Sequence, residues 1–255
     1  MKKINVKAPA KINLTLKVKG TRQDGFHEIE SIMQTVSLYD FIELTKIKAG
    51  ITLQGNHAVF NDIENNIAYK AAKLFFETTK INEGAAIEIE KNIPISAGLA
   101  GGSADGAGVL FGLNEIFEKP LTQESILKLC QKLGSDLDFC LTGGRALVKG
   151  RGEVIEKLPF EEFPLTIVKP KNLGISAKEA YSKFDLLKEK STFANDLEFA
   201  LINDYKELQY LHSLGLQMSG SGSAFFKIGD FSQSLKDDYQ VIKNLKATPF
   251  GVERV

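Results

Sequence analysis

Cysteine is scarce in this chain. Cys130 and Cys140 are the only two in 255 residues, too few for a disulfide framework and without metal-ligand spacing. That usage fits a reducing compartment, and both thiols read as core packing. Net charge is absent too, because 32 Lys and Arg balance 32 Asp and Glu. A protein that lives on nucleic acid or anionic lipid carries a basic excess, so neither partner is expected. No apolar run approaches the ~20 residues of a membrane helix. The charged start, Met1 to Lys7, runs into an alternating pattern with no signal or transit segment ahead of it. A soluble, cytoplasmic protein is the expectation. Of the three histidines, His57 and His212 have no evident partner and read as surface residues.

What is present suits two compact units sharing a cleft: 255 residues, 43% of them apolar. Ile12, Leu14, Leu16 and Val18 alternate with polar residues, as in a half-buried strand, and Asp24-Gly25 turns the chain. Strand-like stretches run from about 28 to 45, around 87–89, 145–148, 165–168 and 224–228, and last near Val252. Helical spacing marks 67–80, the stretch after Ser103, 123–133, 196–202, 205–214 and 231–245. Pro159 and Pro164 punctuate a linker between residues 1–158 and 159–255. The mixture lacks the regular strand-helix beat of a doubly wound sheet, which predicts an α+β protein of two domains.

The segment Pro94-Ile95-Ser96-Ala97-Gly98-Leu99-Ala100-Gly101-Gly102-Ser103 carries the most information. Glycines let backbone N–H groups converge on a polyanion, and a helix opening at about Ser103 adds free N–H groups and a partial positive charge. It is neither a Walker loop nor a G-x-G-x-x-G fingerprint. A glycine-rich helix entry that merely permits tight packing is the competing reading. A second run, Ser219-Gly220-Ser221-Gly222-Ser223, is by itself a turn. Two such loops can face one nucleotide from opposite sides.

Lys11 heads an apolar strand and Asp136 follows a helix in Gly134-Ser135-Asp136-Leu137-Asp138-Phe139. A carboxylate that orients an attacking hydroxyl, beside a lysine that keeps it ionised, is what phosphoryl transfer asks of a protein. From spacing alone, a strand-end lysine and a turn cap are the better readings of the two. Asp24-Gly25-Phe26-His27 presents an aromatic ring and an imidazole, suited to stacking and reading a base or to anchoring a turn. Gly150-Arg151-Gly152-Glu153 reads as a hairpin turn.

Taken together, Pro9-Ala10-Lys11-Ile12-Asn13-Leu14, the first glycine loop and Ser219 to Ser223 resemble the three motifs of the GHMP kinases. Gly20-x-Arg22-x-Asp24-Gly25-Phe26-His27, Met33-Gln34, Leu38-x-Asp40, Gly134-Ser135-Asp136, Gly150-x-Gly152-Glu153 and Asn195-Asp196-Leu197-Glu198 resemble, within that superfamily, the 4-diphosphocytidyl-2-C-methyl-D-erythritol kinase family. The resemblance implies a two-domain fold, the amino-terminal domain like the second domain of ribosomal protein S5 and the carboxyl-terminal one ferredoxin-like. It implies ATP-dependent phosphorylation of the erythritol 2-hydroxyl in isoprenoid precursor synthesis. Lys11 and Asp136 match the catalytic pair, and Asn13 a polar residue beside the substrate. Pro94, Ser96, Ala97 and Gly98 to Ser103 match the ATP loop, Asn66 a residue near the adenine, and Gly220, Ser221 and Gly222 the second loop. Phe26 and His27 match the cytidine site, with Tyr181 the second aromatic of a base sandwich. Mg²⁺ is expected with ATP, its ligands open.

Four positions depart from the family pattern: Phe26 for Tyr, Ala100 for Gly, Ala177 for a substrate-contacting Thr, and Asp138 for Pro. A second carboxylate two residues from Asp136 would raise its pKa unless it points elsewhere. Two other readings stand beside this one. One is a GHMP kinase of the mevalonate or homoserine class, which would lack the Asp24 to His27 turn. The other is a non-catalytic nucleotide- or RNA-binding protein of the same fold, against which stand the neutral charge and the retention of both Lys11 and Asp136.

Overall fold

The alternating segments form two sheets in the computed structural model, which describes residues 2–255. The first part of the chain contains β1 (Lys3–Asn13), β2 (Lys17–Thr21), β3 (His27–Ile47), β4 (Ile51–Gly55), α1 (Ile67–Thr79), β5 (Gly84–Glu90) and α2 (Gly101–Ile116). It continues through α3 (Gln123–Leu133), α4 (Leu137–Thr142), β6 (Arg145–Gly150) and β7 (Val154–Lys157). The remainder contains β8 (Pro164–Pro170), α5 (Ala177–Phe184), α6 (Asp196–Leu201), α7 (Lys206–Ser213), β9 (Gln217–Met218), β10 (Phe225–Ile228), β11 (Tyr239–Lys246) and β12 (Glu253–Arg254). The architecture is α+β, as the pattern predicts.

β3 organises the first sheet. Its 21 residues pair antiparallel with β1, β2, β5 and β6 over different stretches. The strand order is β12-β1-β3-β5-β4, with only β4 and β5 parallel. The second sheet, β11-β8-β10-β9, is antiparallel throughout. At its far end the chain returns to the first sheet, where Glu253 and Arg254 pair with Lys7 and Val6 of β1.

α2 is buried along nearly its whole length against this sheet. A Cβ at Gly108 would lie 2.3 Å from the Ile42 side chain, and one at Gly112 2.2 Å from Leu44. Close approach there needs glycine, and it holds α2 tightly against the sheet. Both cysteines are buried, and burial pushes the Cys130 thiol up to about 12, consistent with packing rather than reactivity. No helix among the described residues is long and apolar enough to cross a membrane.

Two expected elements differ. The alternation from Ile12 to Val18 breaks after Asn13, because Leu16 leaves the first sheet. Its N–H donates to Ala194 O and its carbonyl accepts from Asp196 N, tying this strand to α6. Residues 231–245 do not form a helix, although Phe231, Leu235, Tyr239, Ile242 and Leu245 recur at helical intervals. Pairing with β8 from Tyr239↔Pro170 to Lys246↔Pro164 prevails over the local pattern.

Candidate active site

A cleft of about 1100 Å³ lies between the two sheets and takes residues from both. All ten residues from Pro94 to Ser103 line it, and so do Asn66, Gly220 and Ser221. Ser96, Gly98 and Ala100 have φ of 50°, 71° and 59°. Alternate residues in the left-handed region curl the backbone into a concavity whose N–H groups converge, the form of an anion nest. α2 begins at Gly101, two residues earlier than the sequence suggests, so its free N–H groups open directly into that concavity.

The two glycine loops meet at Gly98. A Cβ there would lie 2.1 Å from Ser219 O, and Gly98 O accepts from Ser219 Oγ at 3.1 Å. Asn195 holds the second loop from behind, donating to Met218 O at 2.9 Å and Gly220 O at 2.8 Å, while Glu198 accepts from Met218 N. Gly222 does not reach the cleft wall; its Cα faces the Met218 thioether. Of the second loop, Gly220 and Ser221 alone face the cavity.

Lys11 sits where these pieces join. It is buried, and its ammonium donates to Asn13 Oδ1 at 2.7 Å and Gly98 O at 3.1 Å, with Asp136 Oδ2 3.6 Å away. Asn13 is itself fully buried and donates to Ser31 Oγ at 2.8 Å, so it orients Lys11. Asp136 precedes α4 but makes no capping hydrogen bond, and its carboxylate faces the cleft. The ordinary roles that spacing favoured, strand-end lysine and turn cap, do not describe this pair.

Residues 66–144 match the family model described as the GHMP kinases N terminal domain. A protein named 4-diphosphocytidyl-2-C-methyl-D-erythritol kinase from Clostridium botulinum (strain Alaska E43 / Type E3) is 43% identical over 91% of this chain and 92% of its own length. Another of that name from Clostridium tetani (strain Massachusetts / E88) is 40% identical over 94% of this chain and 96% of its own. The chain belongs to the 4-diphosphocytidyl-2-C-methyl-D-erythritol kinase family. A crystal structure of 4-(cytidine 5'-diphospho)-2C-methyl-D-erythritol kinase is similar with a TM-score of 0.76 and 30% identity, covering 89% of this chain and 90% of that one. The homoserine kinase of Cytophaga hutchinsonii shares the fold at 18% identity and a TM-score of 0.74.

In this kinase, Asp138 turns away from the cleft. It is buried, accepts from Gln131 Nε2 at 2.8 Å and is held above the usual carboxylate range by burial. The second carboxylate therefore does not crowd Asp136. Phe26, also on the cleft wall, is half exposed and carries the Arg151 guanidinium 4.9 Å above its ring. Tyr181 also lines the cleft, with His27 stacked on one face of its ring at a centroid separation of 4.6 Å. Burial, with the Asp136 charge nearby, pushes the Tyr181 phenol up.

Sequence reasoning missed three cleft residues, Arg151, Lys91 and Asp105, and two of the histidine partners. His212 donates to or accepts from Glu198 at 2.7 Å and stacks on Phe193, and His57 caps the short helical turn at Ala58–Asn61. Lys91 is buried between Asp40 at 2.5 Å and Asp105 at 2.8 Å. Asp40 also accepts from Asn92 N and Ile93 N, fixing the chain just before the glycine loop. The signal for Lys91 was hidden in the charged end of β5, where a lysine is ordinary.

Burial, opposed by Lys91 and reinforced by Asp40, pushes the Asp105 carboxyl up to about 8. The native chain thus keeps a proton that the unfolded chain releases near pH 4. Between about pH 4 and 8 the native state binds more protons, so this group's contribution makes stability fall as pH rises. Asp105→Asn, neutral at every pH, is expected to remove that part of the slope. Urea unfolding of both proteins between pH 5 and 8 checks it; parallel stability curves would contradict the raised pKa.

Gly102 offers a test of the phosphate nest. A Cβ there meets nothing closer than Ile67 at 3.6 Å, so the fold accommodates a side chain. Gly102→Val is expected to raise the KM for ATP about tenfold or more by blocking close backbone approach to phosphate. Initial-rate kinetics on the folded variant check this, and an unchanged KM would remove the start of α2 from the nucleotide site.

Proposed function

We propose that the cleft transfers the γ-phosphoryl group of ATP to the 2-hydroxyl of 4-diphosphocytidyl-2-C-methyl-D-erythritol. The observation that carries this reading is the Lys11–Asp136 pair, 3.6 Å apart, set against the junction of two glycine loops. The nest and the start of α2 receive the triphosphate, with Asn66 at the adenine end. Asp136 takes the acceptor hydroxyl as a hydrogen-bond donor and accepts its proton, while Lys11 offsets the negative charge that gathers between nucleophile and phosphate. Phe26 offers a stacking face to the cytosine and His27 a hydrogen-bonding edge.

Among the described residues no group of three or more His, Cys, Asp or Glu could hold a metal ion. Mg²⁺ bound mainly through the oxygens of ATP needs no such cage. The Ser103 hydroxyl and the Asp136 carboxylate both line the phosphate end of the cleft and suit that mode. The ion would neutralise charge on the phosphates. Two unpaired, buried thiols and balanced charge support a reducing cytoplasm and small-molecule partners.

The test is acceptor choice. Purified protein with ATP and Mg²⁺ is offered the cytidyl acceptor, mevalonate and homoserine, and products are identified by mass and phosphorus NMR. Turnover of the cytidyl acceptor is expected. Turnover of mevalonate or homoserine alone would defeat the reading.

A further inference from the structure

We propose that Asp185 sets which pyrimidine the acceptor site takes, by holding the Nε2–H of His27 and so presenting Nδ1 as a hydrogen-bond acceptor. The proposal rests on the cytidyl reading above and assigns Asp185, just past the end of α5, a positioning role that Phe26, His27 and Tyr181 do not have.

His27 Nε2 lies 2.7 Å from Asp185 Oδ1. An ionised carboxylate offers only acceptors, so the nitrogen facing it carries the hydrogen. A neutral imidazole has one N–H, which leaves Nδ1 with its lone pair. Nδ1 makes no hydrogen bond to any described residue. The ring is also fixed in orientation. Tyr181 stacks on it at an interplanar angle of 19°, and Phe184 meets its edge at 89° with centroids 6.5 Å apart. Tyr181 and Asp185 are one helical turn apart, Asp185 N donating to Tyr181 O at 3.0 Å, so a single turn of chain grips the imidazole by face and by edge. The His27 side chain is only 11% exposed, and His27, Tyr181 and Asp185 all line the cleft beside Phe26.

A fixed, lone acceptor discriminates between two bases of the same size. Cytosine carries an amino donor at the position where uracil carries a carbonyl oxygen. The donor satisfies Nδ1; the carbonyl would set two acceptors against each other. Without Asp185 the ring is free to exchange its hydrogen between nitrogens, and an Nδ1–H would accept the keto base.

Two measurements test this on the full chain. The chain has three histidines, so nitrogen NMR of ¹⁵N-histidine-labelled protein resolves His27 with little overlap. Wild type is expected to show the Nε2–H tautomer with bare Nδ1, and Asp185→Ala a mixture. In kinetics, wild type is expected to prefer the cytidyl acceptor over its uridyl counterpart by about tenfold or more in kcat/KM. Asp185→Ala should lose most of that preference, chiefly through KM. A wild-type ring that is doubly protonated, or protonated at Nδ1, overturns the proposal. So does an Asp185→Ala variant whose KM rises equally for both acceptors with the preference kept, since Asp185 then only docks α5. Failure of the underlying reading looks different: wild type would turn over neither pyrimidine acceptor.

Discussion

Asp136→Asn is expected to lower kcat by about two orders of magnitude or more, the range for loss of a general base. The fold and the KM for ATP should change little. Asp136 makes no capping hydrogen bond and its one close charge is Lys11 at 3.6 Å, so little structure depends on its ionisation. Asp138→Asn is the matched control two residues away. Asp138 is buried on the far side, bound to Gln131, and absent from the cleft wall. Its neutral replacement should leave kcat within a few-fold, and because burial already disfavours the ionised form of Asp138, removing that charge should cost folding little. Steady-state kinetics of the two variants side by side decide the matter. Reversed severities would mean that the wrong carboxylate has been assigned.

Lys91→Met is expected to destabilise the protein by about 3–5 kcal/mol, because it leaves the buried Asp40 carboxylate, and the Asp105 carboxyl beside it, without their shared cation. For a chain of this size that is a fall in Tm of roughly 10 °C. Asp40 and Asp105 are both almost completely buried, and one oxygen of Asp105 already lacks a partner. Adding Asp40→Asn and Asp105→Asn to Lys91→Met should recover much of the loss, since neutral amides need no counter-charge. Thermal unfolding followed by circular dichroism measures both. A single variant within a degree or two of wild type would show that the triad is stabilised by something other than the lysine.

The part of the fold that could be read from sequence is the part where local pattern and tertiary packing agree. The alternation of β1, the turn at Asp24-Gly25 and the helices at 67–79, 123–133 and 196–201 needed nothing from elsewhere in the chain. Residues 231–245 were illegible because their apolar spacing is helical while their pairing partner, β8, lies about seventy residues away. Leu16 was illegible for a similar reason, its hydrogen bonds going to Ala194 and Asp196.

The site divides in the same way. Glycine runs announce phosphate chemistry because few other uses demand that many small residues together, and Lys11 and Asp136 became visible only through resemblance to a family. Asp185 and Lys91 carry no local mark. A lone carboxylate after a short helix and a lysine at the end of a charged strand are ordinary surface residues until folding places them against His27 and between Asp40 and Asp105. The stacking of His27 on one face of Tyr181 carries no local mark either, because the two residues lie far apart in the chain.

The most direct test of the central claim is a crystal structure of the ternary complex with a non-hydrolysable ATP analogue, Mg²⁺ and the cytidyl acceptor. The account predicts the erythritol 2-hydroxyl within about 2.6–3.2 Å of an Asp136 carboxylate oxygen. The γ-phosphate should lie between Lys11 and the Gly98–Ser103 nest, with the cytosine against Phe26 and His27. A 2-hydroxyl directed away from Asp136, or a triphosphate bound outside the two glycine loops, would contradict it.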